Sequence, residues 1–148
     1  MKTLLVLLAL VTLAVGACRS GPPPTSNSNT LAGRSANVAN QYNGVIVIDP
    51  GCSSFNSKDD QVLCITNKGK DPVKIGKWLV RNTIGRTYYF PDSTTIDPGK
   101  SLKLHTDAGT NSPTDLYWNY EFKPVFDTKD QITLVDLSDE NVSQITTP

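Results

Sequence analysis

From residue 45 onward, hydrophobic and polar residues alternate with a period of two, in short runs separated by turn residues. That is the pattern of half-buried strands. Residues 45–48 are a continuous β-branched run stopped by Pro50-Gly51. Residues 61–66 put Leu63 and Ile65 on one face and end at Asn67-Lys68-Gly69. Val73 and Ile75 alternate with charged residues, and Trp78 and Val80 continue the stripe after a one-residue offset around Gly76. Residues 87–90 set Tyr88 and Phe90 against Tyr89, before Pro91. After the turn Asp97-Pro98-Gly99, residues 101–106 set Leu102 and Leu104 against Lys103 and His105. Residues 132–135 form a further apolar run, followed by an acidic turn over 136–141. No segment carries a 3.6-residue stripe, a heptad or an internal repeat. One polar face per strand predicts antiparallel sheets, and this many short strands predicts a sandwich.

Composition supports an all-β reading. Glu occurs only at Glu121 and Glu140, and Thr, Val, Ile, Asn, Asp, Gly and Pro stand where helix formers would be. A length of 148 residues with 38% hydrophobic side chains is enough for one cored domain and not for two.

The first residues follow a different logic. Lys2 precedes an apolar run over 4–15 broken only by Thr12. The run is too short to cross a bilayer core of about 30 Å as a permanent helix, and reads as an export signal. Its end, Val15-Gly16-Ala17-Cys18, resembles the bacterial lipobox. That resemblance implies cleavage before Cys18 and a thioether-linked lipid on its sulfur, with palmitate among the acyl chains and the membrane reached through this lipid anchor. An ordinary signal peptide would be cut at the same place, since Val15 and Ala17 also suit a general cleavage enzyme. The cysteine count bears on the choice. Cys18, Cys52 and Cys64 are an odd number, a liability in an exported protein. Lipidation of Cys18 leaves Cys52 and Cys64 as a disulfide pair; the rival is two free thiols in a reducing compartment.

The chain therefore divides into a signal peptide at 1–17, an acylated cysteine and flexible tether at 18–43, and a folded domain at 44–148. The tether opens with Gly21-Pro22-Pro23-Pro24 and continues in Thr, Ser and Asn. Such composition stays extended and solvated, with a reach of roughly 25–30 Å. Net charge is zero, with bases concentrated between Lys68 and Lys103 and acids after Asp107. That split is read as a solvated exterior, and no nucleic-acid partner is expected from it.

Several residues together resemble the lamin-tail domain family. They are Asn67 and Gly69 with Pro72-Val73, Ile75 and Trp78-Leu79-Val80; Tyr88-Tyr89-Phe90-Pro91; and Thr95-Ile96-Asp97-Pro98-Gly99 before Leu102, Leu104 and His105-Thr106. Asp115-Leu116-Tyr117-Trp118 and Asp127-Thr128-Lys129-Asp130 match the closing stretch. The resemblance implies an immunoglobulin-like β-sandwich and a non-catalytic binding or structural role at the cell envelope, with an unknown envelope protein or glycan as partner. Three departures stand out. Lys129 replaces a frequent Gly, and the turn over 138–141 lacks one, which points to Asn141 as the left-handed residue. Cys64 falls on an outward-facing position that is commonly acidic in relatives.

Candidate chemistry is thin. His105, the single histidine, lies beside Asp107 with no positioned Ser, so a structural or surface role is expected of it. Asp136, Asp139 and Glu140 lack the spacing and turn Gly of a calcium loop. Cys52 and Cys64 lack further soft ligands for zinc. No catalytic residue, metal or cofactor is expected, and a hydrolase is disfavoured. The cluster Tyr117, Trp118, Tyr120 and Phe122 is the candidate binding surface, because amphipathic aromatics suit peptides and sugar rings. It carries the alternative reading of a carbohydrate- or peptidoglycan-binding lipoprotein. Core packing of Tyr117 and Trp118 competes with that use.

Overall fold

A computed structural model describes residues 40–148 of the chain. The expected signal segment, Cys18 and most of the expected tether lie outside the described residues. Ten strands follow in order: β1 Ile46–Ile48, β2 Val62–Asn67, β3 Val73–Lys74, β4 Leu79–Asn82, β5 Thr87–Tyr89, β6 Thr95–Ile96, β7 Ser101–His105, β8 Asp115–Tyr117, β9 Gln131–Val135 and β10 Asn141–Thr146. One sheet runs β1-β2-β7-β8, the other β10-β9-β4-β5, and β3-β6 is a separate ribbon. The fold is an all-β, immunoglobulin-like sandwich.

Registry explains why the alternating residues make one core. Ile48 pairs with Ile65 and Ile65 with Leu102, while Leu63 pairs with Leu104 and Leu104 with Leu116. These two apolar rows cross the first sheet on its inner face. In the other sheet Tyr88, Val80 and Leu134 form a facing row. Trp78, Phe90 and Phe126 close the gaps at 2% exposure each. Each buried aliphatic or aromatic side chain contributes about 1.5–3 kcal/mol.

The structure departs from the sequence reading at three places. First, β8 runs parallel to β7; the loop between them carries the chain back to the opposite end of β7. Second, the folded part begins before residue 44. Residues 41–45 form a turn in which Val45 and Ile46 N–H donate to Tyr42 C=O. Asn40 Nδ2 donates to Asp136 Oδ2 over 2.7 Å, and the Tyr42 ring sits edge-on to Trp78 at 4.9 Å. Third, the left-handed residue of the β9–β10 turn is Asp139 at φ 59°, not Asn141, while Lys129 is left-handed as its family position suggests. The Asp136 carboxylate explains the turn, since Oδ1 accepts from the N–H of Ser138 and Glu140. Cys64 points away from the core, as its outward-facing position in the sequence predicts, and is fully buried. The segment over 49–54 lies across it, joined by the Cys52–Cys64 disulfide with Cα atoms 5.6 Å apart.

That segment is held by more than the disulfide. Ser53 Oγ donates to Asp49 C=O at 2.7 Å and accepts from Cys64 N–H at 3.0 Å, and Ser54 bridges Val62. Every buried side-chain nitrogen and oxygen among the described residues has a hydrogen-bond partner. Asn67 Nδ2 donates to the C=O of Asp71 and Ile96, and its Oδ1 accepts from Gly69 N–H, which binds the β3-β6 ribbon to β2. Gln61 Nε2 donates to Phe126 C=O, and its Oε1 accepts from Val125 and Phe126 N–H. Unmade, each such bond would cost about 1–3 kcal/mol.

Candidate functional site

The sandwich has one side on which edge strands β5 and β8 face each other. Alternation along 115–118 points Leu116 into the core, and Trp118 follows it inward across the gap between sheets. Trp118 there meets Tyr88 of β5 at 5.6 Å, Phe126 at 5.8 Å and Tyr120 at 5.8 Å between ring centroids. Burial pushes the Tyr88 phenol above its ordinary pKa. Tyr120 is half-buried, with the Arg86 guanidinium 5.5 Å above its ring. Arg86 is fixed by donating to the C=O of Pro124 and Val125 at 2.6 and 2.7 Å. Phe122 stands edge-on to Tyr120 at 6.0 Å and is 70% exposed.

The four aromatics singled out in the sequence therefore separate. Trp118 is a plug between the sheets, and Tyr120 and Phe122 form its outward continuation. Tyr117 leaves the group altogether: it lies on the outer face, stacked on His105 at 4.8 Å. Gly109 touches it so closely that a Cβ there would come within 2.3 Å of ring carbons.

His105 sits in a polar cluster on that outer face. Its Nδ1 is 2.8 Å from Asp60 Oδ2 and its Nε2 3.3 Å from Asp115 Oδ1. The Thr114 hydroxyl holds the Asp115 carboxyl below the usual carboxylate range, with His105 adding to the effect. The Lys123 ammonium, together with Ala108 N–H, does the same for Asp107. The two carboxylates meet both ring nitrogens and orient the imidazole. The arrangement ties β7, β8 and the loop before β2 together. Asp60 is the member that sequence reading missed, because its partner lies 45 residues away.

Edge protection is a second feature that sequence alone does not reveal. Parallel pairing with β7 turns the N–H and C=O of Asp115 and Tyr117 away from the sheet, and all four groups are taken locally. Asp115 N–H donates to Ser112 Oγ, Ser112 N–H to Asp115 C=O, Tyr117 N–H to Asn111 Oδ1, and Asn119 Nδ2 to Tyr117 C=O. On the far side of the same sheet, Ile46 N–H donates to Tyr42 C=O and Ile48 N–H to Ser143 Oγ. Capped edges resist unwanted strand addition.

The geometry defines a small immunoglobulin-like module whose buried polar side chains are committed to holding loops, with an aromatic border along one side. The sequence model of the lamin tail domain matches residues 39–148, the whole of this sandwich, and the chain belongs to the lamin-tail domain family. That domain is a non-enzymatic immunoglobulin-like module. A comparison with curated proteins returned no match.

Proposed function

We propose that this chain is a non-catalytic binding or structural module held at the bacterial cell envelope by lipid on Cys18. The carrying observation is the division of labour along the chain. An export-type apolar run ends in Val15-Gly16-Ala17-Cys18, a Pro-, Ser- and Asn-rich stretch follows, and the domain beyond it belongs to a non-enzymatic family. More than one acyl chain on the terminal cysteine gives firm membrane attachment, where a single chain gives only marginal binding. The partner is an envelope protein that meets the border at Tyr120 and Phe122, the outward continuation of the Trp118 plug. The test is fractionation: Cys18→Ser moves the protein from the membrane pellet to the soluble fraction. Retention of the variant in the pellet after a salt wash overturns the lipid anchor.

A glycan or peptidoglycan ligand is the second reading, favoured by the exposure of Phe122 beside Tyr120. Stacking on a sugar ring needs an accessible aromatic face. Peptidoglycan pull-down with wild type, Tyr120→Ala and Phe122→Ala separates the readings, since a glycan module loses retention in both variants and a protein-binding one shows none to lose.

A further inference from the structure

We infer that β5 is a self-complementary edge through which two copies of this chain pair. The ladder to β4 uses Asn82 N–H to Arg86 C=O and Phe90 N–H to Trp78 C=O. Antiparallel alternation then turns Tyr88 toward β4, and the N–H and C=O of Thr87 and Tyr89 outward. None of these four groups has a hydrogen-bond partner among the described residues. The contrast with β8 is direct. Both strands are three residues long and lie on the same side of the sandwich, yet β8 has all four outward groups capped and β5 has none.

Two residues spaced i, i+2 with open groups are what a twofold antiparallel copy needs. With the axis beside Tyr88, Thr87 of each copy faces Tyr89 of the other as a hydrogen-bonded pair, and the two Tyr88 residues form the non-bonded pair between them. Four backbone hydrogen bonds result, and the β10-β9-β4-β5 sheet continues across the axis into its counterpart. No other sequence has to be supplied, because the edge matches itself. Directly opposed Thr87 and Tyr89 side chains share the outer face, a favourable cross-strand combination.

The distribution of exposed apolar side chains agrees. Among the described residues the large exposed ones are Ile84, Tyr89, Phe122 and Leu137. Ile84 lies in the β4–β5 turn, Tyr89 on β5, and Phe122 on the border beside it. Aromatic side chains cover about 150–250 Å² each. Their partial exposure supplies several hundred Å² per copy, below the roughly 800 Å² per partner of a stable complex. The pair is accordingly weak and reversible. It is favoured wherever copies are concentrated, as on one membrane, because shared tethering raises effective concentration. The inference names a partner for the module proposed above. It rests on β5 and stands whether or not Cys18 is acylated.

The test is amide hydrogen exchange of the full chain in mild detergent, at about 10 µM and about 1 mM, concentrations that bracket a weak complex. Thr87 and Tyr89 amides should exchange at least about tenfold more slowly at the higher concentration, as expected for a site going from open to mostly paired. Tyr89→Pro removes an outward N–H that no intramolecular bond uses, and should erase the concentration dependence at Thr87 while the circular dichroism spectrum stays native. Tyr89→Lys, which keeps the backbone, should do the same should the proline variant fail to fold. Leu137→Asp, away from this edge, should leave it intact. Thr87 and Tyr89 amides that exchange at one rate at both concentrations overturn the pairing, as does dimerisation that protects other strands.

Discussion

Trp118 and Tyr88 meet between the two sheets with ring centroids 5.6 Å apart, so the two edge strands on that side are joined by side chains where no backbone ladder exists. Trp118 also touches Phe126 and Tyr120. Trp118→Ala should open the sandwich there and cost roughly 2–4 kcal/mol, somewhat below the range for a fully buried aromatic. Phe122→Ala, at the exposed end of the same series, should stay within about 0.5 kcal/mol of wild type. Urea unfolding of the two variants checks the pair. Equal losses would mean that Phe122 is also part of the packing.

Trp78 is buried at 2% exposure with Tyr42 against its edge. Trp78→Ala should cost about 3–5 kcal/mol. A melting temperature within a degree or two of wild type would place Trp78 outside the core, since about 1 kcal/mol moves a domain of this size by several degrees.

Cys52 and Cys64 close a loop with a sequence separation of 12. In the chain-entropy model a ring of this size stabilises by roughly 3 kcal/mol. Because Ser53 and Ser54 hold the same segment by hydrogen bonds, the reduced protein should stay folded and lose no more than that amount. Mass spectrometry after alkylation without reductant should find neither thiol modified. Two alkylated thiols in natively purified material would remove the bond and the export argument together.

Asp107 and Asp115 are both held below their ordinary value of 3.8. A carboxylate with a depressed folded-state pKa adds stability that is fully present above the unfolded value and is lost as pH falls through the folded one. These groups should therefore leave the urea midpoint flat above about pH 5 and lower it below about pH 4. Thr114→Ala should flatten that acid limb, because the Thr114 hydroxyl is the main influence on Asp115. An unchanged limb would show that the Thr114 contact does not favour the ionised form. Both carboxyls are close to solvent, so the effect is small and diminishes with salt.

Lys129 has φ 59° and its N–H donates to Pro148 C=O. A side chain in the left-handed region costs about 1–2 kcal/mol, and glycine avoids this at an entropic cost of about 0.5–1 kcal/mol. Lys129→Gly should raise stability by up to about 1 kcal/mol. A loss in thermal or urea unfolding would mean that the lysine side chain contributes contacts that outweigh the strain.

The strands that alternation made legible are those with one face in the core. Leu102 and Leu104 against Lys103 and His105 gave β7, and Leu63 with Ile65 gave β2. β10 was not legible from its pattern. Its sequence, Asn141-Val142-Ser143-Gln144-Ile145-Thr146, is mostly polar, and a register shift between Asn141 and Ser143 breaks the period. The parallel course of β8 could not be read either, because direction follows from the preceding loop and not from side-chain alternation. Of the candidate surface, sequence placed four aromatics together. Local alternation sent Tyr117 outward and Trp118 inward, leaving Tyr120 and Phe122 on the border. The open edge of β5 was out of reach altogether, since it depends on which backbone groups β4 leaves over.

The turn at the start of the domain decides where mechanical tension would land. A pull on the chain ahead of Asn40 meets the Asn40–Asp136 hydrogen bond and the Tyr42–Trp78 contact before it reaches β1. Those contacts belong to the turn after β9 and to the residue before β4, so force is passed to the second sheet while β1 is still paired with β2 and clipped to Ser143. The edge strand β1 is thereby shielded from being peeled away by such a pull.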